Sequence, residues 1–157
     1  MPDAGLHPAR RVECCPIGGT PTEEALMADH PNLDAARAGY AAFGAMDTEG
    51  VMGLLADDVV WHVAGSNALS GDYKGKEAVM GLFAQIYEGT DGTFSLEIHD
   101  MLANDDHGVA LVSVSGSRGD YRMSGEKAAH IFHMEDGKMT EFWSFAENQH
   151  VFDQFWT

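Results

Sequence analysis

Basic residues are scarce in this chain: nine lysines and arginines stand against 25 aspartates and glutamates, a formal charge of -16 over 157 residues. That balance repels polyanions, and the few cations are scattered rather than striped. Nucleic-acid binding and adhesion to anionic membranes are therefore not expected. Cysteine is nearly absent. Cys14 and Cys15 are adjacent, which excludes a disulfide between distant parts of the fold and offers no metal-ligand spacing. No apolar run approaches the roughly 20 residues of a membrane span, and the N-terminus lacks the apolar stretch of a secretory signal. A cytoplasmic protein is expected. There is no Gly-x-Ser-x-Gly elbow and no glycine-rich phosphate loop, since Gly18-Gly19 falls in the leader. Eight histidines are present, but no pair has helical i, i+4 ligand spacing with a carboxylate between, so neither a metal nor another cofactor is expected.

What the chain does have is enough apolar material, 45% of its residues, for one proper core, and its length argues for one domain. Residues 1–28 mix Pro, Gly, Thr and charges without helical or strand period. They read as a disordered extension ahead of a domain at 29–157, and Met27 is an alternative start. Within residues 33–46, Leu33, Ala36, Tyr40 and Phe43 recur at spacings of three and four, an amphipathic helix with Asn32 as its cap. Asp47 and Thr48 cap a shorter helix carrying Val51, Leu54 and Leu55, which ends at Asp57-Asp58. A strand at 59–64 follows, then a turn around 71–75 and a third helix through Val79, Leu82, Phe83 and Ile86.

Beyond Gly89 the character changes. Residues 93–103, 108–118, 121–135 and 138–146 read as strands, and the hairpin signals Gly119-Asp120 and Asp136-Gly137 make them antiparallel neighbours. The closing segment 148–156 carries Val151, Phe152, Phe155 and Trp156, a last helical turn or strap docked on the sheet. Helices first and hairpins after give an α+β fold, with three N-terminal helices on one face of a strongly bent, mainly antiparallel sheet.

The order of elements and three local sequences resemble the SnoaL-like branch of the nuclear transport factor 2-like (NTF2-like), ketosteroid isomerase-like superfamily. The three are Leu55-Ala56-Asp57-Asp58-Val59-Val60-Trp61-His62-Val63, Gly71-Asp72-Tyr73-Lys74-Gly75-Lys76-Glu77-Ala78-Val79, and the run from His130 through Asp136-Gly137 to Phe142-Trp143. The resemblance covers residues 33–156. It implies a cone-shaped pocket for a small hydrophobic molecule, usually in a homodimer, and leaves the chemistry open, because this fold hosts isomerases, polyketide cyclases, epoxide hydrolases, dehydratases and plain binders. Two departures matter. The isomerases' general-base aspartate falls where this chain has Trp61-His62-Val63, and residues 108–117 lack the arginine-aspartate pair of limonene-epoxide-hydrolase-like enzymes. The isomerases' oxyanion-hole aspartic acid matches His130, and their helix-one tyrosine matches Tyr40, each within one residue.

Strand alternation puts Ala128, His130, Phe132 and Met134 on one face and Ala129, Ile131 and His133 on the other. With the register that the resemblance implies, His130 points into the pocket. There it is either an acid–base group or a core histidine satisfied by a carbonyl or a tyrosine hydroxyl. His62 is a second candidate if its face of the strand is concave, and a rim histidine if Trp61 faces inward instead. Asp100 alternates with Phe94, Leu96, Ile98 and Leu102, so it is either a tuned carboxylate or a strand-end hydrogen-bond acceptor. Tyr40, Trp61, Phe83, Phe132, Phe142 and Trp143 supply aromatic surface for a ligand, or plain core. The expected function is cofactor-free proton transfer on a carbonyl or enol compound. The rivals are a non-catalytic ligand binder and a dimeric interaction module that uses the convex sheet face and the aromatics from Phe152 to Trp156; a homodimer through the sheet's open face, with Ile131, Trp143 and Phe145, is expected in either case.

Overall fold

Pro31 opens the first helix, where a missing amide hydrogen costs nothing. In the computed structural model, which describes residues 30–157, α1 spans Pro31–Gly44 and its N-cap is His30, whose Nδ1 accepts from the Asn32 amide. The N-terminal extension and the alternative start at Met27 lie outside the described residues. Asn32, expected as the cap, is buried inside the helix instead, and its side-chain amide donates to the carbonyls of Asn104 and Asp105 at 3.0 and 2.8 Å. One polar side chain thereby fastens the start of α1 to a distant hairpin. Asp47 caps α2 (Thr48–Leu54) by accepting from the Gly50 amide.

The strands are β1 (Leu55–Val63), β2 (Gly71–Lys74), β3 (Ser95–Ala103), β4 (His107–Arg118), β5 (Tyr121–Glu135) and β6 (Lys138–Ala146); α3 (Lys76–Gly89) lies between β2 and β3, and α4 (Gln149–Phe155) closes the described chain. The sheet order is β2-β1-β6-β5-β4-β3. Among the described residues every pairing is antiparallel except β1 with β6, and four helices pack on a curled, mixed sheet. Expectation and structure differ at two places. The second helix, expected to run to Asp57-Asp58, stops at Leu54, and β1 begins at Leu55. The segment read as a turn around 71–75 contains the short edge strand β2, too brief to show an alternating pattern. The docked C-terminal segment is a two-turn helix.

Bulges set which residues face the core. Asp136 and Gly137 both have positive φ, 49° and 73°, and form a two-residue hairpin turn that pairs Glu135 with Lys138. The pairing then slips between Met134↔Met139 and His133↔Glu141, leaving Thr140 as an extra residue. A second slip, between Ile98 and Asp100, leaves His99 unpaired. Each inverts the side-chain alternation beyond it.

The helix-facing side of the sheet holds the core, with Val59, Ala110, Val114, Phe132 and Met139 all nearly inaccessible. The C-terminal helix is tied down by polar bonds rather than by apolar contact alone. Arg118 donates to the carbonyls of Phe155 and Thr157, and Asp153 accepts from the Ser66 amide, Asn67 Nδ2 and Gln149 Nε2.

Gly108 sits opposite Phe132 in the β4–β5 ladder, and a Cβ added there would run into the Phe132 ring. The ring has no exposed side to move toward. Gly108→Ala should therefore cost about 1–3 kcal/mol, the usual penalty of overpacking, measured as a lower urea midpoint at unchanged m-value. An unchanged midpoint would show that the core yields at this point.

Candidate functional site

Between the helices and the inner face of the sheet lies a cavity of about 150 Å³. Its wall draws on every helix: Tyr40 and Phe43 from α1, Leu54 from α2, Phe83 and Ile86 from α3, and Phe152 from α4, which Trp156 beyond its end joins. From the sheet come Trp61 and Val63, Leu96, His130, Phe142 and Ser144. The aromatic rings are ordered against one another. Trp61 stacks on Phe142 with centroids 3.5 Å apart, and Phe83 meets Trp61 edge-on at 5.0 Å.

His130 is the centre of the polar edge. It stands mid-strand on β5, 7% exposed, with Ala110 beside it on β4 and Ser144 on β6 in the same cross-strand row. Tyr40 Oη lies 2.6 Å from its Nδ1. Burial pushes the imidazole down to about 4, so the ring is neutral at pH 7, and burial likewise raises the Tyr40 phenol and keeps it protonated. Among the described residues no buried side-chain nitrogen or oxygen lacks a partner, and Nε2 has no protein partner, so Nε2 is not sealed and opens on the cavity its ring lines. With the phenol donating to Nδ1, the ring carries its proton on Nε2 and offers a donor to the cavity. The reverse tautomer makes Nε2 an acceptor.

His62 lies on the other face. Trp61 is the β1 residue that turns inward, and His62 is held outside by Asp72 (Nδ1–Oδ1 2.7 Å) and Glu141 (Nε2–Oε1 2.9 Å) and stacks on Trp143. Partial burial lowers its pKa most, but the two carboxylates together outweigh that and raise it. His62 and His130 therefore do not share a site. Asp100 is exposed, and its carboxylate accepts from the adjacent Met101 amide at 2.8 Å, because the bulge at His99 turns it away from the face that Leu96 occupies.

Tyr40, Trp61, Phe83 and Phe142 all line the cavity. Phe132 does not; it is buried core packed over Gly108. Trp143 is on the outer face, because the bulge at Thr140 gives the inward position to Phe142. Sequence reasoning missed Ser144, together with the aliphatic and aromatic lining from Leu54, Leu96, Phe152 and Trp156. The available signal was Met139 and Phe142, two large apolar residues three apart with Thr140-Glu141 between them, a spacing that breaks period two and announces a bulge.

Solved structures and sequence relatives resemble this chain over most of its length. An uncharacterized protein of Mycobacterium tuberculosis, Rv0034, is 28% identical over 131 residues, covering 83% of this chain and 99% of its own length. Bal32a, from a soil-derived mobile gene cassette, superimposes with a TM-score of 0.78 at 26% identity, covering 81% of this chain and 97% of that one. An NTF2-like protein of unknown function from Burkholderia pseudomallei has the same fold, with a TM-score of 0.73 at 21% identity and coverage of 82% and 98%. The SnoaL-like domain model matches residues 36–142, a span that runs from the first helix through the inward Phe142. By that match the chain belongs to the SnoaL-like domain family, and its fold is the NTF2-like one.

Proposed function

We propose that this protein binds a small, largely apolar carbonyl or enol compound in the cavity and performs cofactor-free proton transfer on it, as an isomerase, cyclase or dehydratase, in the cytoplasm. One observation carries the reading: the 2.6 Å Tyr40–His130 hydrogen bond at the polar edge of an otherwise apolar cavity. A neutral imidazole whose other nitrogen is already engaged can donate from Nε2 to a ligand oxygen as negative charge develops there, with no cost of reorganisation. His62 and Asp100 take no part, since neither reaches the cavity.

A second reading keeps the pocket and removes the turnover. The residues lining the cavity include no aspartate, glutamate, lysine or arginine, which favours a ligand-binding protein in which His130 orients its guest. His130→Gln separates the two. Under the catalytic reading turnover should fall about a hundredfold or more, the usual worth of a general acid, base or oxyanion donor, with the ligand Kd little changed. Loss of affinity with no turnover to lose would establish the binder instead.

The depressed His130 pKa also makes a stability prediction. The ring takes a proton near pH 6.5 when unfolded and near 4 when folded, so between those values the unfolded state binds more protons and folding is progressively penalised as pH falls. Between pH 7 and pH 4 the protein should lose about 3 kcal/mol through this group. Denaturant titrations of the wild type and His130→Gln isolate it; equal acid losses in the two would mean that the imidazole is not buried neutral.

We further propose a homodimer through the outer face of the sheet. Leu102, Val109, Ile131 and Trp143 form one cross-strand row there, and Leu111, Ala129 and Phe145 the next, with Phe145 53% exposed. Such a contiguous apolar face marks an interface. Light scattering should give twice the chain mass at micromolar concentration, and Phe145→Glu should bring it to the monomer value. A monomeric wild type would sink the proposal.

A further inference from the structure

We infer that the guest of this cavity is an uncharged molecule with one ring among the aromatic side chains and a single oxygen function, a ketone or hydroxyl, at the His130–Ser144 edge, and that carboxylates are rejected. The inference rests on reading the cavity as the functional site and adds the chemical class of what it holds.

Size comes first. A cavity near 150 Å³ lined by aliphatic and aromatic side chains accommodates a single benzene-sized ring, and a fused multi-ring skeleton would have to extend beyond it. The walls suit a ring, because Trp61, Phe142 and Phe83 present packed faces and edges against which another ring makes offset or edge-on contact.

Charge decides the second part. The lining has no cationic side chain to pair with an anion. His130 and Tyr40, its titratable members, are both neutral at pH 7 because burial disfavours their charged forms. A carboxylate placed there would be a buried, unpaired charge, the most heavily penalised of guests, and the net charge of -16 opposes its approach.

The oxygen follows from what is left unmet. Ser144 is opposite His130 in the β5–β6 ladder, and both line the cavity. Nε2 and the serine hydroxyl are the polar groups of this edge that no described residue engages. One ligand oxygen can accept from both. A pure hydrocarbon would leave them unpaired, which costs a hydrogen-bonding group about threefold to tenfold in binding.

Calorimetry on the full chain with five probes tests this: phenol, cyclohexanone, benzene, benzoate and a four-ring steroid ketone. Phenol and cyclohexanone should bind at pH 7, and benzene about threefold to tenfold more weakly than phenol. Benzoate should bind at least about a hundredfold more weakly than phenol. It should recover roughly tenfold per pH unit as the pH is lowered to 5, because only the protonated acid, with a pKa near 4, can enter. His130→Leu should shrink the preference for phenol over benzene, and adding Ser144→Ala should abolish it. Benzoate binding at pH 7 as tightly as phenol, or a steroid ketone binding more tightly than cyclohexanone, overturns the assigned class. If that tighter ligand still depends on His130, the site itself stands. No binding by any of the five, in wild type, overturns the site reading together with the class, and the wild-type comparison needs no variant to fold.

Discussion

An imidazole in the middle of a central strand has to be satisfied without water, and most of what is distinctive here follows from how that is done. Tyr40 reaches His130 across 90 residues of chain, from the first helix to the fifth strand, and supplies a hydrogen bond to one ring nitrogen. The bond fastens helix to sheet at the cavity edge. It needs the tyrosine on the apolar stripe of α1 and small side chains beside the histidine, which Ala110 and Ser144 provide. The same burial that demands the partner also keeps both groups uncharged. Location, neutrality and an open Nε2 are thus one arrangement with one cause.

One sheet carries two unlike chemistries on its faces, and His130 within β5 and His62 near the end of β1 display the difference. On the inner face, desolvation with no charged neighbour lowers His130. On the outer face His62 sits between Asp72 and Glu141, and Glu141 also meets His133 at 3.2 Å. There the carboxylates win over partial burial and His62 rises. A residue type alone therefore says little about acid–base behaviour; the side of the strand it occupies decides the sign.

That is also where the sequence stops being readable. The bounds of β5 and β6 follow directly from alternating patterns bracketed by Gly119-Asp120 and Asp136-Gly137, and the helix order follows from three- and four-residue spacings. His130 is legible as a lining residue through strand alternation and the register that the family resemblance implies, Tyr40 through its place on the apolar stripe of the first helix, and Trp61, Phe83 and Phe142 as aromatic surface. Alternation puts Asp100 on the apolar face of its strand and fails beyond an extra residue, and for Trp143 the sequence supports both pocket lining and the sheet's open face without choosing between them. His99 and Thr140 each reverse the faces, so Asp100 turns to solvent and Ser144 turns in. Bulges are local accommodations of sheet curvature to long-range pairing, and a chain read in isolation carries only their faintest trace.

Under the proposed function, the depressed pKa of His130 narrows the chemistry rather than weakening it. A ring that resists protonation is a poor standing base, and no carboxylate lines the cavity to act in its place. Neutral Nε2–H nevertheless donates well to an oxygen on which charge is growing, and in an apolar cavity that interaction is stronger than in water. It is of least value to a ground-state carbonyl and of most value to an enolate-like oxygen, which is the differential binding that lowers a barrier. Isomerisation, cyclisation and dehydration of carbonyl compounds all pass through such an oxygen. One neutral histidine with a tyrosine behind it can therefore supply the donor that stabilises this oxygen in all three, and the guest's own skeleton decides which follows.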